Sequence, residues 1–462
     1  MATIRCPLYE AFEISANQAA CVDGDRILSY SDLEREVCMM QARLLASTSI
    51  EAGDLVALQL PTSYFSLATM FALFRMKTLV VFISPREPAA AVHDAMEEVG
   101  SKELIDPTRL ADLMGVEATP AAMHQAPEYE MNQPATLFFT SGSTGKAKAV
   151  VHGHRSHYYS ARGANRNIQL RSGLRWLCSL PIHHVGGFAI FYRCIMAGAC
   201  MVFPRRDKDV VEDVVHYQIT HLSVVPTQLR RMLAHEQAIL AAKHLQAVLL
   251  GGAPIDQGLV NQAREVGFRL NTTYGCTETA SQVTTTMMGA RVEMLMTAGV
   301  PLQHREVELA DDGEILVKGP VLALGRWESG ELVPMVDENG WYATGDLGVF
   351  EALEPDCDCL RVVGRKDNQF ISGGENIQPE EIERVLLDEV EVLQAVVVPK
   401  PDEEFGARPV AFLEVAGAMP GDLAERLEKR LPKFKIPVAF EVLPVSDGLK
   451  VKRADLVEQL KA

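Results

Sequence analysis

The run from Phe138 to Lys148 (FFTSGSTGKAK) gathers hydroxyl, glycine and lysine residues directly after an apolar stretch. Thr140, Ser141, Gly142, Ser143, Thr144 and Gly145 follow one another, with Lys146 and Lys148 beyond. Glycines let backbone N–H groups turn toward an anion, hydroxyls add donors and lysines add opposite charge, so these residues suit a phosphate. The spacing is not that of a P-loop, which reads G-x-x-x-x-G-K followed by Ser or Thr. Here Gly142 and Gly145 enclose only Ser143 and Thr144, and Ala147 follows Lys146. A flexible linker has a similar composition, but linkers do not usually join a buried strand to a further apolar segment.

Further segments could work with that loop. LLGGAPI (Leu249–Ile255) and TTYGCTE (Thr272–Glu278) each begin where an apolar run ends. Their glycines permit close approach of a ligand, an aromatic ring can stack on a base, and Glu278 could hold a magnesium ion. YATGDLG (Tyr342–Gly348) and GRKDNQFISGGENIQPEEIE (Gly364–Glu383) add an aspartate and a basic, glycine-containing turn. Each alone is an ordinary turn, and Glu278 or Asp346 could simply be a cap.

These segments must be positioned by regular elements, and the apolar runs indicate which. Leu55–Leu60, Leu79–Ile83, Ala135–Phe139, Trp176–Leu180, Cys200–Phe203, His221–Val225 and Ala247–Leu250 read as short strands, most followed by helical stretches such as Tyr64–Phe74. That rhythm predicts an α/β fold of sheets covered by helices, with ligands at the carboxyl edges of the strands. After about residue 295 the pattern changes to short strands (Glu314–Val317, Trp341–Thr344, Leu360–Val363) joined by Gly- and Asp-containing turns, as in a small barrel. A compact α+β tail follows, with helices Pro379–Asp388 and Leu423–Arg430 around strand Ala395–Pro399. GRKDN places the boundary between two domains, residues 1–365 and 366–462.

Composition bounds the function. Hydrophobic residues make up 48% and charged residues 23%, as in folded soluble proteins. A formal net charge of −17 argues against a nucleic-acid partner. The nine cysteines include no C-x-x-C pair, which fits reduced thiols in the cytoplasm better than a disulfide framework. Cys357 and Cys359 have no neighbouring pair to complete a zinc site. No signal peptide is visible at the start, and Pro61, Arg75 and Lys77 cut the longest apolar stretch into pieces shorter than the ~20 residues of a membrane span. A homo-oligomer stays open.

Taken in order, TSGSTGKAK, LPIHHVGG, GGAPI, YGCTE, YATGD, GRKDN and a late GLKVKR resemble the adenylate-forming superfamily of acyl-CoA and aryl-CoA ligases, luciferases and adenylation domains. The resemblance implies an enzyme that uses ATP and Mg2+ to make an acyl-AMP and coenzyme A to accept the acyl group. It assigns the Thr140–Gly145 loop and Lys146 to pyrophosphate, and Gly251, Gly252 and Ala253 to the adenine, with Tyr274 on its face beside Thr273 and Gly275. By the same resemblance Thr277 binds the α-phosphate, Glu278 the magnesium, and Asp346 with Arg365 the ribose. Lys450 reaches the reacting oxygens from the smaller domain. Asp367 matches a hinge about which that domain rotates, and Gly373 and Gly374 match the loop that makes room for pantetheine.

Several longer passages are similar to the o-succinylbenzoate–CoA ligases of menaquinone biosynthesis, among them LPIHHVGGFAIFYRCIMAGA (Leu180–Ala199) and LSVVPTQLRRML (Leu222–Leu233). A dicarboxylate needs one carboxylate activated and the other recognised. Arg193, on the helix after His184, is the candidate for recognition. His184 and Ser223 are expected to line the acid tunnel with Gly252. Another aryl- or acyl-CoA ligase, or an adenylation enzyme loading a carrier protein, remains an alternative.

Overall fold

The computed structural model describes residues 2–120, 126–140, 148–354, 357–444 and 453–460. Its larger part is built on two large sheets. In the first, nine strands among the described residues run in the order Val300–Pro301, Thr284–Thr285, Leu270–Tyr274, Ala247–Gly251, His221–Val224, Arg175–Leu177, Cys200–Phe203, Ala19–Asp23 and Arg26–Ser29. The inner strands pair in parallel and antiparallel neighbours close both ends. The second has seven strands among the described residues and centres on Leu55–Leu58, Leu79–Phe82 and Pro134–Thr140, again parallel.

The expectation of helices after the strands fails at one informative place. Pro134–Thr140 is followed by the antiparallel strand Lys148–Gly153, not by a helix, with Thr140 opposite Lys148. Where helices do follow strands, local chemistry starts them. Ser63 caps Tyr64–Arg75 reciprocally with Ser66, and that helix is buried on nearly every side between the sheets. Val185–Ala197 is similarly apolar and ends at Gly198 with φ 63°, a left-handed stop that glycine adopts without strain.

Beyond residue 300 a four-stranded antiparallel sheet forms from Glu306–Leu309, Glu314–Lys318, Tyr342–Glu354 and Cys357–Arg365. The last two strands are longer than the apolar runs suggest, so Asp346 lies on a strand, opposite Arg365. A short turn, Lys366–Asn368, leads into the smaller part. There Pro379–Leu387 packs on the three-stranded sheet Val392–Asp402, Gly406–Val415 and Phe440–Val442 around its own core of Ile382, Leu386, Val397, Leu413 and Leu427.

Candidate active site

Parallel neighbours put the ends of Ala247–Gly251 and Leu270–Tyr274 side by side, so GGAPI and YGCTE share one carboxyl edge. A Cβ on Gly251 would lie 2.7 Å from the Thr273 carbonyl oxygen, and Gly252 adopts φ 83°. Gly252 and Ala253 are exposed there. The Thr273 hydroxyl is spent inside the protein, donating to the Thr284 carbonyl at 2.8 Å. What it can offer a ligand is backbone.

The segment after Gly275 is held from several directions. His152 Nε2 lies 2.8 Å from the Thr277 carbonyl oxygen, and the Ala323 N–H donates to the Glu278 carbonyl at 2.8 Å. Ser160 Oγ donates to the Ala280 carbonyl at 2.6 Å and Arg305 Nε to that of Gln282 at 2.9 Å. This clamp opposes strain, because Ala280 and Ser281 adopt φ 48° and 94°, where side chains are rarely tolerated. Gly275 is required as well, since a Cβ there would sit 1.6 Å from the Ser281 carbonyl oxygen. The turn carrying Thr277 and Glu278 is thus pre-set. Cys276 lies within it, and burial pushes its thiol well up, with Glu278 adding to the effect. It is a poor nucleophile.

Asp346 joins this edge from the antiparallel sheet. One carboxylate oxygen accepts from the Tyr274 hydroxyl at 2.7 Å and the other faces Arg365 at 3.2 Å. Burial raises the Tyr274 phenol well above its usual range, so it stays protonated and donates. Arg365 also approaches Asp367 at 3.5 Å, while Lys366 pairs with Glu314 at 3.0 Å and with Asp312. Asp367 is exposed. Gly373 and Gly374 adopt φ 58° and 87° in the hairpin between Phe370–Ser372 and Glu375–Ile377, and space around Gly374 is open.

Of the residues expected to meet the acid, His184 precedes the first turn of Val185–Ala197 and is exposed, its ring 4.5 Å from that of His183. Arg193, two turns on, is not at the surface: it is only 2% exposed. Its guanidinium lies 5.5 Å from the Trp176 ring and donates to Ser281 Oγ at 3.1 Å, while Nε has no partner. Burial lowers its pKa to about 10. Among the described residues no carboxylate pairs with it. Ser223 is buried on the neighbouring His221–Val224 strand with its hydroxyl unpartnered.

Of the expected residues, Thr140 sits at the mouth of the hairpin, its hydroxyl 3.3 Å from the Lys148 carbonyl oxygen. Ser141, Gly142, Ser143, Thr144, Gly145 and Lys146 lie outside the described residues, as does Lys450. The structure adds His152, Ser160 and Arg305. The first two belong to the HGHRSHYYS run (His152–Ser160), whose three histidines were a visible signal. Their targets lie far along the chain.

An α/β core presenting glycine-lined strand ends, a clamped Thr–Glu turn and an aspartate–arginine pair, followed by a small α+β domain, defines an enzyme of the adenylate-forming class. Residues 9–327 match the AMP-binding enzyme family and residues 381–453 the AMP-binding enzyme C-terminal domain. The chain belongs to the AMP-binding enzyme family. It is 35% identical over 439 residues to 2-succinylbenzoate–CoA ligase of Escherichia coli (strain K12), covering 92% of each chain. The o-succinylbenzoate coenzyme A synthetase of Bacillus subtilis in complex with its acyl-adenylate intermediate is similar at TM-score 0.87 and 28% identity, over 100% of this chain and 99% of that one. The same enzyme in complex with ATP and a magnesium ion gives TM-score 0.86 and 29% identity, covering 100% of each chain.

Proposed function

We propose that the protein activates 2-succinylbenzoate with ATP and transfers the acyl group to coenzyme A, in the cytoplasm, as a step of menaquinone biosynthesis. In the first half-reaction a carboxylate oxygen attacks the α-phosphorus, the bond to the bridging oxygen breaks, and pyrophosphate leaves. In the second the sulfur of coenzyme A attacks the acyl carbon, its proton is released, and AMP leaves.

The chain's own residues supply the environment. Thr277 presents its hydroxyl from the clamped turn to the α-phosphate, whose equatorial oxygens gain charge in the transition state. Asp346 accepts hydrogen bonds from the ribose hydroxyls, with Arg365 beside it and Tyr274 against the adenine. Glu278, a half-buried carboxylate facing the Tyr342 hydroxyl, is a hard oxygen ligand suited to magnesium. Bound there, magnesium would neutralise phosphate charge. The Thr140–Gly145 loop and Lys146 hold pyrophosphate. Lys450 serves adenylation, and Gly373 and Gly374 make room for pantetheine after rotation at Asp367, between domains divided at residues 365 and 366.

The observation that carries the choice of acid is Arg193. A guanidinium 2% exposed, without a carboxylate partner among the described residues, is costly unless a ligand supplies the anion. Its bond to Ser281 places it on the loop that continues from the nucleotide turn. The test compares 2-succinylbenzoate with 4-oxo-4-phenylbutanoate, which lacks the ring carboxylate, in acid-dependent pyrophosphate release. Arg193→Met should cost the dicarboxylate at least ten-fold more in kcat/KM, as expected for a lost charge-assisted bond of about 1.5–3 kcal/mol. Equal losses for both acids would point to another acyl-CoA or aryl-CoA ligase.

A further inference from the structure

Arg193 is not the only buried cation that lacks a carboxylate partner among the described residues. Arg305, just before the Glu306–Leu309 strand, is 7% exposed and none of the described carboxylates pairs with it. Each of its three nitrogens donates to an oxygen of the protein: Nε to the Gln282 carbonyl at 2.9 Å, one terminal nitrogen to that of Gln303 at 2.7 Å, and the other to the Ser160 carbonyl at 3.2 Å and hydroxyl at 3.3 Å. Gly163 leaves the room it occupies, since a Cβ there would stand 2.2 Å from a terminal nitrogen. Hydrogen bonding therefore explains where Arg305 sits but not why it is charged. A neutral amide could donate to carbonyls without the cost of burying a cation.

The second guanidinium is also near the first. Burial lowers the Arg305 pKa to about 9, and the next largest influence is the positive charge of Arg193. Both bond to the same short loop, Arg193 to the hydroxyl of Ser281 and Arg305 to the carbonyl of Gln282. Two like charges held together away from water form a site that an anion relieves, and one carboxylate on Arg193 sits within the field of both.

We propose that Arg305 is the second cation of the acid-binding site, selecting a dicarboxylate through its charge while its N–H groups hold the Ala280–Gln282 loop. The proposal rests on the reading of Arg193 as the partner of the substrate's distal carboxylate. It makes Arg305 a specificity-determining residue that need not touch the acid.

The full chain is assayed with ATP and each of the two acids above, and the ratio of their KM values is the readout. Arg305→Met should shrink the preference for the dicarboxylate by roughly ten-fold, the size of one weakly screened charge interaction. Arg305→Lys, which keeps the charge but not the fork of donors, should hold the preference within about three-fold of the parent while lowering turnover of both acids. Arg305→Gln, neutral yet still a donor, should behave like Arg305→Met and serves if the methionine variant is insoluble. A purely structural Arg305 would lower both acids alike in all three variants and leave the ratio unmoved, which overturns the proposal. If Arg193→Met also leaves the ratio unmoved, the Arg193 reading fails and this one with it. A ratio lost in Arg193→Met but kept in the neutral Arg305 variants sinks the Arg305 proposal alone.

Discussion

His152→Phe removes the ring nitrogen that meets the Thr277 carbonyl at 2.8 Å while keeping a planar side chain in a site with 0% exposure. The carbonyl keeps the Ala280 N–H at 3.1 Å but loses the imidazole, a loss of about 0.5–1.5 kcal/mol. Ala280 and Ser281 already hold positive φ in the same segment, so the cost should appear as a turn that opens. In a turn already near balance, a cost of that size reduces the competent population by about 2- to 12-fold. With Thr277 proposed to act at the α-phosphate, the fall should appear in kcat for acid-dependent pyrophosphate release more than in KM for ATP. His152→Gln, whose amide can still donate, should recover at least half of the lost activation free energy. The assay is single-turnover acyl-AMP formation beside thermal unfolding of both variants. A destabilised His152→Phe protein with adenylation within two-fold of the parent, or a glutamine variant no better than phenylalanine, refutes the argument that this bond positions the turn.

Other outcomes follow from the roles proposed above. Lys450→Ala should nearly abolish acyl-AMP formation, by about 10²–10³, yet leave consumption of supplied acyl-AMP by coenzyme A largely intact. Gly374→Leu, at an open position with φ 87°, should do the reverse and let acyl-AMP accumulate; quench-flow of the two half-reactions decides. Acid should destabilise the fold early, because burial lowers the pKa of His152 to about 4 and of His154 to about 3. Both are neutral when folded, so their stabilising contribution is complete above the ordinary histidine value near 6.5 and is lost as pH falls from there toward 4. For His152 that loss is roughly 3 kcal/mol, and urea titrations at pH 7.5 and 4.5 should show a smaller difference for His152→Phe than for the parent.

Much of the site was legible because its parts are local. GGAPI and YGCTE announce themselves as glycine turns after apolar strands, and parallel pairing then brings them to one edge. Asp346 and Arg365 were each visible, but their pairing depends on a long hairpin whose strands extend through polar residues such as Glu351 and Arg361. What local pattern cannot show is the clamp. His152 reaches Thr277 across 125 residues and Ser160 reaches Ala280 across 120, contacts that exist only once the two sheets are packed. For Arg193 the sequence offered a pocket-facing side chain or a surface one at a helix end, and only the packing of Trp176 and Ser281 around it shows that it is buried. The turn from Pro134–Thr140 back into Lys148–Gly153 was hidden because an apolar strand reads alike whether it runs parallel or antiparallel to its neighbour.

The central claim is that the chain makes an acyl-AMP from a dicarboxylate and spends it on coenzyme A. It is tested most directly by exchange of labelled pyrophosphate into ATP with a panel of aromatic, aliphatic and dicarboxylic acids, without coenzyme A. The account predicts exchange that depends on magnesium, is fastest with 2-succinylbenzoate, and gives way to equal yields of AMP and 2-succinylbenzoyl-CoA once coenzyme A is added. Exchange driven equally well by simple monocarboxylates, or an acyl-AMP that coenzyme A does not consume, would contradict it.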